Sequence, residues 1–131
     1  MSQMTTEKIT AMVIDDDLDT VELFAEYLEM QGIQVIAKGF DGKDAVVLYE
    51  KWKPDISFID VMMPYYDGFY AVIGMRKCNP NAKIIMVTAD LTADTANKLE
   101  SLNVSMIYKP FEFEDLASTI DKVVHSKPLT I

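Results

Sequence analysis

Six side chains of this 131-residue chain stand where short apolar runs end, and their types suit one kind of chemistry. Ile9–Ile14 stops at Asp15-Asp16-Asp17, Ile56–Ile59 at Asp60, Lys83–Val87 at Thr88, and Ser105–Tyr108 at Lys109. Neighbouring carboxylates repel and raise one another's pKa unless a cation neutralises them. An all-oxygen donor set with no His or Cys beside it suits a hard divalent cation, and Mg²⁺ is the usual one where phosphate is involved. Lys109 adds a point positive charge for an anionic ligand. A carboxylate next to a divalent cation and a lysine can attack a phosphoryl group, giving an aspartyl phosphate. Phosphoryl transfer asks mainly for in-line positioning and charge neutralisation on the equatorial oxygens, which the metal, Lys109 and the Thr88 hydroxyl can provide. On the residues alone, either Asp60 or an aspartate of the first cluster can be the nucleophile.

The elements that must position these groups alternate. Each apolar run is followed by a helical pattern. Leu18, Val21, Phe24, Ala25 and Leu28 repeat at helical spacing until Gly32 stops the first helix. Ile33–Ala37 is the second strand. Asp41-Gly42 opens a helix with Ala45, Leu48, Tyr49 and Trp52 on its core stripe, closed by Pro54. Asp67-Gly68 starts the third helix, through about Lys77, and Asn79-Pro80-Asn81 breaks the chain before the fourth strand. A weaker helix covers Ala93–Leu102. Phe113, Leu116, Ala117, Ile120, Val123 and Val124 form the cleanest amphipathic stripe, with Glu112, Glu114 and Asp115 favouring the dipole in its first turn. Five βα units predict an α/β fold: a doubly wound, five-stranded parallel sheet in the flavodoxin-like order 2-1-3-4-5, with five helices. Near-continuous apolar strands fit a sheet covered on both faces. The ligand crevice of that order lies at the carboxyl ends of strands 1 and 3, where Asp15–Asp17 and Asp60 stand.

Composition narrows the classes further. Twelve Lys+Arg against 21 Asp+Glu give a net charge of −9, with 13 of the acids in residues 1–66. That balance argues against nucleic-acid and anionic-membrane surfaces. One cysteine, Cys78, excludes an internal disulfide and reads as a thiol without a role; one histidine, His125, makes a His-dependent triad improbable and reads as solvated. No run approaches the roughly 18 apolar residues of a membrane span, and no signal peptide is visible, so the expected location is cytoplasmic. The nine methionines read as core filling. Tyr65, Tyr66, Phe69 and Tyr70 read first as packing of the third helix with one or two exposed rings, and second as a docking patch.

Four motifs in order carry a family resemblance: Val13-Ile14-Asp15-Asp16-Asp17, Asp60 to Gly68 (DVMMPYYDG), Thr88-Ala89 and Lys109-Pro110-Phe111. The chain closely resembles the receiver domains of two-component response regulators, chemotaxis-type single-domain ones included, over about residues 8–125. The resemblance implies that Asp60 is the phosphoacceptor. It implies that Asp16, Asp60 and the backbone carbonyl of Met62 ligate Mg²⁺, with Asp15 holding the metal through water or a second contact layer. Lys109 is implied to pair with the acyl phosphate, Thr88 to hydrogen-bond a phosphoryl oxygen, and the Lys109–Pro110 bond to be cis. Asp17 occupies a position that varies in the family and reads as a helix-start residue. Met62 and Asp90 flank the attacking water in such receivers and are expected to tune the phosphoryl lifetime. One departure stands out. Family members usually carry Tyr or Phe three residues before the lysine, where this chain has Met106; Thr88 is expected to move on phosphorylation with Met106 repacking in place of a ring.

The implied partners are a sensor histidine kinase or phosphotransfer protein upstream and an effector protein, or an output domain absent from this chain, downstream. The switching surface is expected on helix 4–strand 5–helix 5, a face compatible with a homodimer. Residues 1–131 read as a single domain, with 126–131 a tail or the start of a linker. The domain is expected to be no enzyme in the usual sense, with weak autophosphatase activity only. The rival readings are a small haloacid-dehalogenase-type phosphatase and a non-phosphorylated receiver scaffold. The former's D-x-D-x-T/V signature meets Asp19 at its fifth position, with Thr20 one residue late.

Overall fold

The computed structural model describes residues 8–125. The tail expected at 126–131, with its Lys127-Pro128 pair, lies outside them. Five parallel strands pair in the order β2-β1-β3-β4-β5: β1 (Thr10–Ile14), β2 (Gln34–Gly39), β3 (Ile56–Asp60), β4 (Ile84–Thr88) and β5 (Ser105–Tyr108). The helices α1 (Leu18–Met30), α2 (Gly42–Trp52), α3 (Gly68–Cys78), α4 (Ala93–Ser101) and α5 (Phe113–Val124) alternate with them. The doubly wound order expected from the sequence is the observed one.

Each face of the sheet has its own apolar core, which is why the central strands carry almost no polar residues. On one face Met12, Ile14, Ile59, Ile84 and Met86 meet α2, α3 and α4 through Tyr49, Val72, Met75 and Leu99. On the other, Val13, Phe58, Ile85 and Val87 meet α1 and α5 through Val21, Leu28, Leu116 and Ile120. Met106 is partly buried against the first of these cores. It lies opposite Met86 in the β4–β5 register, as Tyr108 lies opposite Thr88, so the two β5 residues share a face as the period of two requires.

Local chemistry sets the element ends. Gly32 takes a left-handed φ of 85° after α1, the conformation that glycine adopts without a Cβ penalty. Its amide donates to Glu29 O and that of Ile33 to Leu28 O, closing the helix. The Asp41 and Asp67 carboxylates cap α2 and α3 by accepting from the amides of Asp44 and Tyr70. Arg76 of α3 donates through its guanidinium to the backbone carbonyl of Leu102, just past α4.

Four stripe assignments need correction. Trp52 is 50% exposed rather than core, because it occupies the last turn of α2, where the chain turns away through left-handed Lys53; Lys51 sits 5.2 Å over its ring. Leu18 and Phe113 begin their helices and stay exposed, and Ala117 is exposed too.

Candidate functional site

The carboxyl edge of the sheet gathers the groups named by the sequence. β1 ends one residue before Asp15, β3 ends on Asp60 and β4 on Thr88, and Lys109 follows β5 directly. Because β1 and β3 are neighbours, Asp15 and Asp60 arrive side by side, both buried, with Asp16 exposed at the rim. One carboxylate oxygen from each of these three residues lies within 4.8 Å of the others. Lys109 Nζ donates to Asp15 Oδ2 at 3.0 Å and stands 3.9 Å from Asp60 Oδ2.

The electrostatics single out Asp60. Its pKa is pushed up to about 6, first by burial, then by the charges of Asp15 and Asp16; Lys109 and the Met62 amide, which donates to the carboxylate, pull it back. A half-compensated carboxylate among two others calls for more positive charge than one lysine supplies. The donor chemistry, oxygen only and clustered, therefore fits a hard divalent cation such as Mg²⁺.

The flanking residues are tied by backbone. Lys109 N donates to Thr88 O at 2.8 Å. Thr88 is fully buried, and its Oγ1 accepts from Asp90 N at 2.9 Å, so the hydroxyl proton is left to donate elsewhere. The Asp90 carboxylate is engaged by Thr95 Oγ1 and Thr92 N, bonds that hold its pKa below the usual range. Asp17 stands at the N-cap of α1, where its carboxylate accepts from Thr20 Oγ1 at 2.6 Å rather than from a backbone amide. Its own amide donates to Asp15 Oδ1. The Lys109–Pro110 bond is cis.

The described structure also brings in residues that spacing alone does not nominate. Gly68 packs under the end of β3: a Cβ there would come within 2.6 Å of the Asp60 carbonyl oxygen and 2.9 Å of Val61 Cα. Its only trace in the sequence is an Asp-Gly pair that reads as a helix start. Phe24 and Phe58 close the site from below, with ring centroids 5.1 Å apart. In the β3–α3 loop Tyr65 is almost wholly exposed with a φ of 67°, Tyr66 and Tyr70 are partly exposed and meet edge to face, and Phe69 packs on the core under Lys98. His125 is exposed and pairs with Asp121. Exposed Cys78 donates to Glu50.

The family model of the response regulator receiver domain matches residues 11–121. The chain belongs to that family. Two curated relatives are a probable C4-dicarboxylate response regulator DctR of Priestia megaterium and the chemotaxis protein CheY of Thermotoga maritima. The first is 31% identical over 115 residues, which is 86% of this chain and 50% of that protein. The second is 29% identical over 115 residues, 86% of this chain and 94% of that protein. Thus this receiver spans half of one relative and nearly all of the other. Among solved structures, the CheX-CheY-BeF3-Mg+2 complex from Borrelia burgdorferi aligns with a TM-score of 0.83 at 22% identity, covering 90% of each chain. That likeness concerns the fold. Receivers are signalling modules of two-component systems rather than metabolic enzymes, and they work between histidine kinases and effectors through an acidic, generally Mg²⁺-binding pocket.

Proposed function

We propose that this receiver accepts a phosphoryl group on Asp60 from the phosphohistidine of a sensor kinase or phosphotransfer protein. The observation that carries the reading is the convergence of Asp15, Asp16 and Asp60 with Lys109 at one strand edge. An Asp60 carboxylate oxygen attacks phosphorus in line as the phosphorus–nitrogen bond breaks, and the electron pair returns to the imidazole nitrogen, which takes up a proton. Lys109 leaves its bond with Asp15 and pairs with the acyl phosphate. Thr88, its Oγ1 lone pair held by the Asp90 amide, donates its proton to a phosphoryl oxygen. Asp16, Asp60 and the Met62 carbonyl would hold Mg²⁺, with Asp15 behind them, and the ion neutralises phosphoryl charge when bound. Water attack on phosphorus later frees phosphate and restores the carboxylate, a weak autophosphatase activity. Thr88 moves toward the phosphoryl group and partly buried Met106 repacks, changing the α4–β5–α5 surface for an effector or an output domain.

Support comes from the family and from the BeF3 and Mg²⁺ in the name of the Borrelia complex. The location is cytoplasmic in this reading; no helix among the described residues is long and apolar enough to cross a membrane. Residues 1–131 form one domain in this reading too. The test is labelling by acetyl phosphate with Mg²⁺. Stoichiometric label on the parent chain and none on Asp60→Asn is the expected result. Sustained turnover of a phosphomonoester would instead favour the phosphatase, and absence of both label and Mg²⁺ binding the scaffold.

A further inference from the structure

Between β4 and α4 the chain makes a short loop, Ala89 to Thr92, that begins directly after buried Thr88. Ala89 and Leu91 are exposed, Leu91 by 73%, so packing of these side chains does little to hold the loop. Asp90 holds it instead. The Asp90 amide donates to Thr88 Oγ1 at 2.9 Å. The Asp90 carboxylate reaches forward to α4, where Oδ1 accepts from the Thr92 amide at 2.9 Å and Oδ2 from the Thr95 hydroxyl at 2.6 Å.

The bond to Thr92 is a local one, two residues on, of the kind an aspartate makes in many turns. The bond to Thr95 is different. It spans five residues, ends on a side chain that is only 7% exposed, and has the short length of a charge-assisted bond. Thr95 is itself well anchored. It lies in the first turn of α4, where its amide donates to Thr92 Oγ1 at the cap, and α4 packs on the core through Leu99. Two hydrogen bonds joined through Asp90 therefore run from the packed start of α4 to the Thr88 hydroxyl.

A threonine hydroxyl has one proton and two lone pairs, and it rotates to suit its partners. With one lone pair of Thr88 held by the Asp90 amide, its proton is confined to directions away from that amide. An amide free to wander would leave the proton without a fixed aim. Donors fixed before the reaction stabilise developing charge best, because they need no reorganisation when it appears.

We propose that Thr95 is a positioning residue for phosphoryl transfer: by holding the Asp90 carboxylate against α4, it keeps the Asp90 amide in place and so keeps the Thr88 hydroxyl aimed at the phosphoryl group. The role in transfer rests on Asp60 as the phosphoacceptor. The positioning itself exists in the unphosphorylated chain and is measurable there.

The test compares Thr95→Val, which nearly keeps the shape and removes the hydroxyl, with Thr95→Ser, which keeps the hydroxyl, in the full 131-residue chain. The first readout is hydrogen exchange of the Asp90 amide by NMR, with no phosphoryl donor present. Exchange about tenfold faster is expected in Thr95→Val and parent-like exchange in Thr95→Ser. Equal protection in all three chains would overturn the proposal. Asp90→Ala cuts the same tie from the loop side, is expected to free the amide equally, and serves if Thr95→Val does not fold. The second readout is the rate of labelling by acetyl phosphate with Mg²⁺. Labelling is expected to be about fivefold slower in Thr95→Val and near the parent rate in Thr95→Ser. On a Thr88→Ala background, Thr95→Val is expected to slow it no further, because its effect passes through the missing hydroxyl. Slowing of the same size on that background would reduce Thr95 to a structural part and overturn the proposal, as would parent-rate labelling of Thr95→Val alone. A parent chain that takes no label would fault the reading of Asp60 instead, and the exchange rates would then decide the positioning by themselves.

Discussion

At the residue scale, Asp60 is a charge that the fold tolerates at a cost. Its pKa is about 6 in the folded chain against 3.8 for an ordinary aspartate, with burial the main cause. Between those values the folded state binds more protons than the unfolded one, so stability falls as pH rises from about 4 to about 6 and is then flat in this contribution. Removing the charge should reverse this. In metal-free buffer at pH 7, Asp60→Asn is expected to be more stable than the parent by about 2 kcal/mol, a figure reduced for the site's partial openness to water. The difference should vanish near pH 4, and urea melts across that range measure it. Strain of this sort, set in the ligand-free state and relieved by a cation, is where local rules of folding yield to function.

At the element scale, the strand ends set the chemistry and the helix starts support them. Gly68 has an ordinary negative φ, so its use is space: it lets α3 begin directly beneath Asp60. Gly68→Ala is expected to displace the end of β3, lower the melting temperature by several degrees, and slow acetyl-phosphate labelling about tenfold or more. An unchanged labelling rate would show that the close approach is dispensable. The sequence shows the elements well because two-sided burial makes β3 and β4 apolar but for Ser57 and the functional residues at their ends, and leaves Gly32, Asp41 and Asp67 as plain punctuation. It is a poorer guide where periodicity outruns the surface being covered. Trp52 keeps the α2 stripe in phase yet sits in a final turn with little to cover. Asp60 and Lys109 are legible because each ends or follows a strand; Gly68 is not, because a close backbone approach leaves no periodic signal.

At the scale of the whole molecule, net charge −9 acts through where it is placed. Three of the acids share one pocket, so a divalent cation should stabilise the fold far more than the same ionic strength of NaCl. At a Mg²⁺ concentration 100 times its dissociation constant the gain is about 2.7 kcal/mol, readable as a rise in melting temperature. Asp16→Asn should lose most of it, since Asp16 is exposed and contributes an oxygen to the cluster. The two faces of the sheet also differ in what they carry, with α1 and α5 covering one side and Thr88 and Met106 standing on the α4–β5 side. The bond from the Lys109 amide to the Thr88 carbonyl crosses that division. It ties two strand ends together, so in the proposed phosphorylation a cation and a hydroxyl separated by 20 intervening residues would respond in step. Variation of this machine is then channelled. An insertion between Tyr108 and Lys109 is the change expected to break this tie, parting the Lys109 amide from the Thr88 carbonyl.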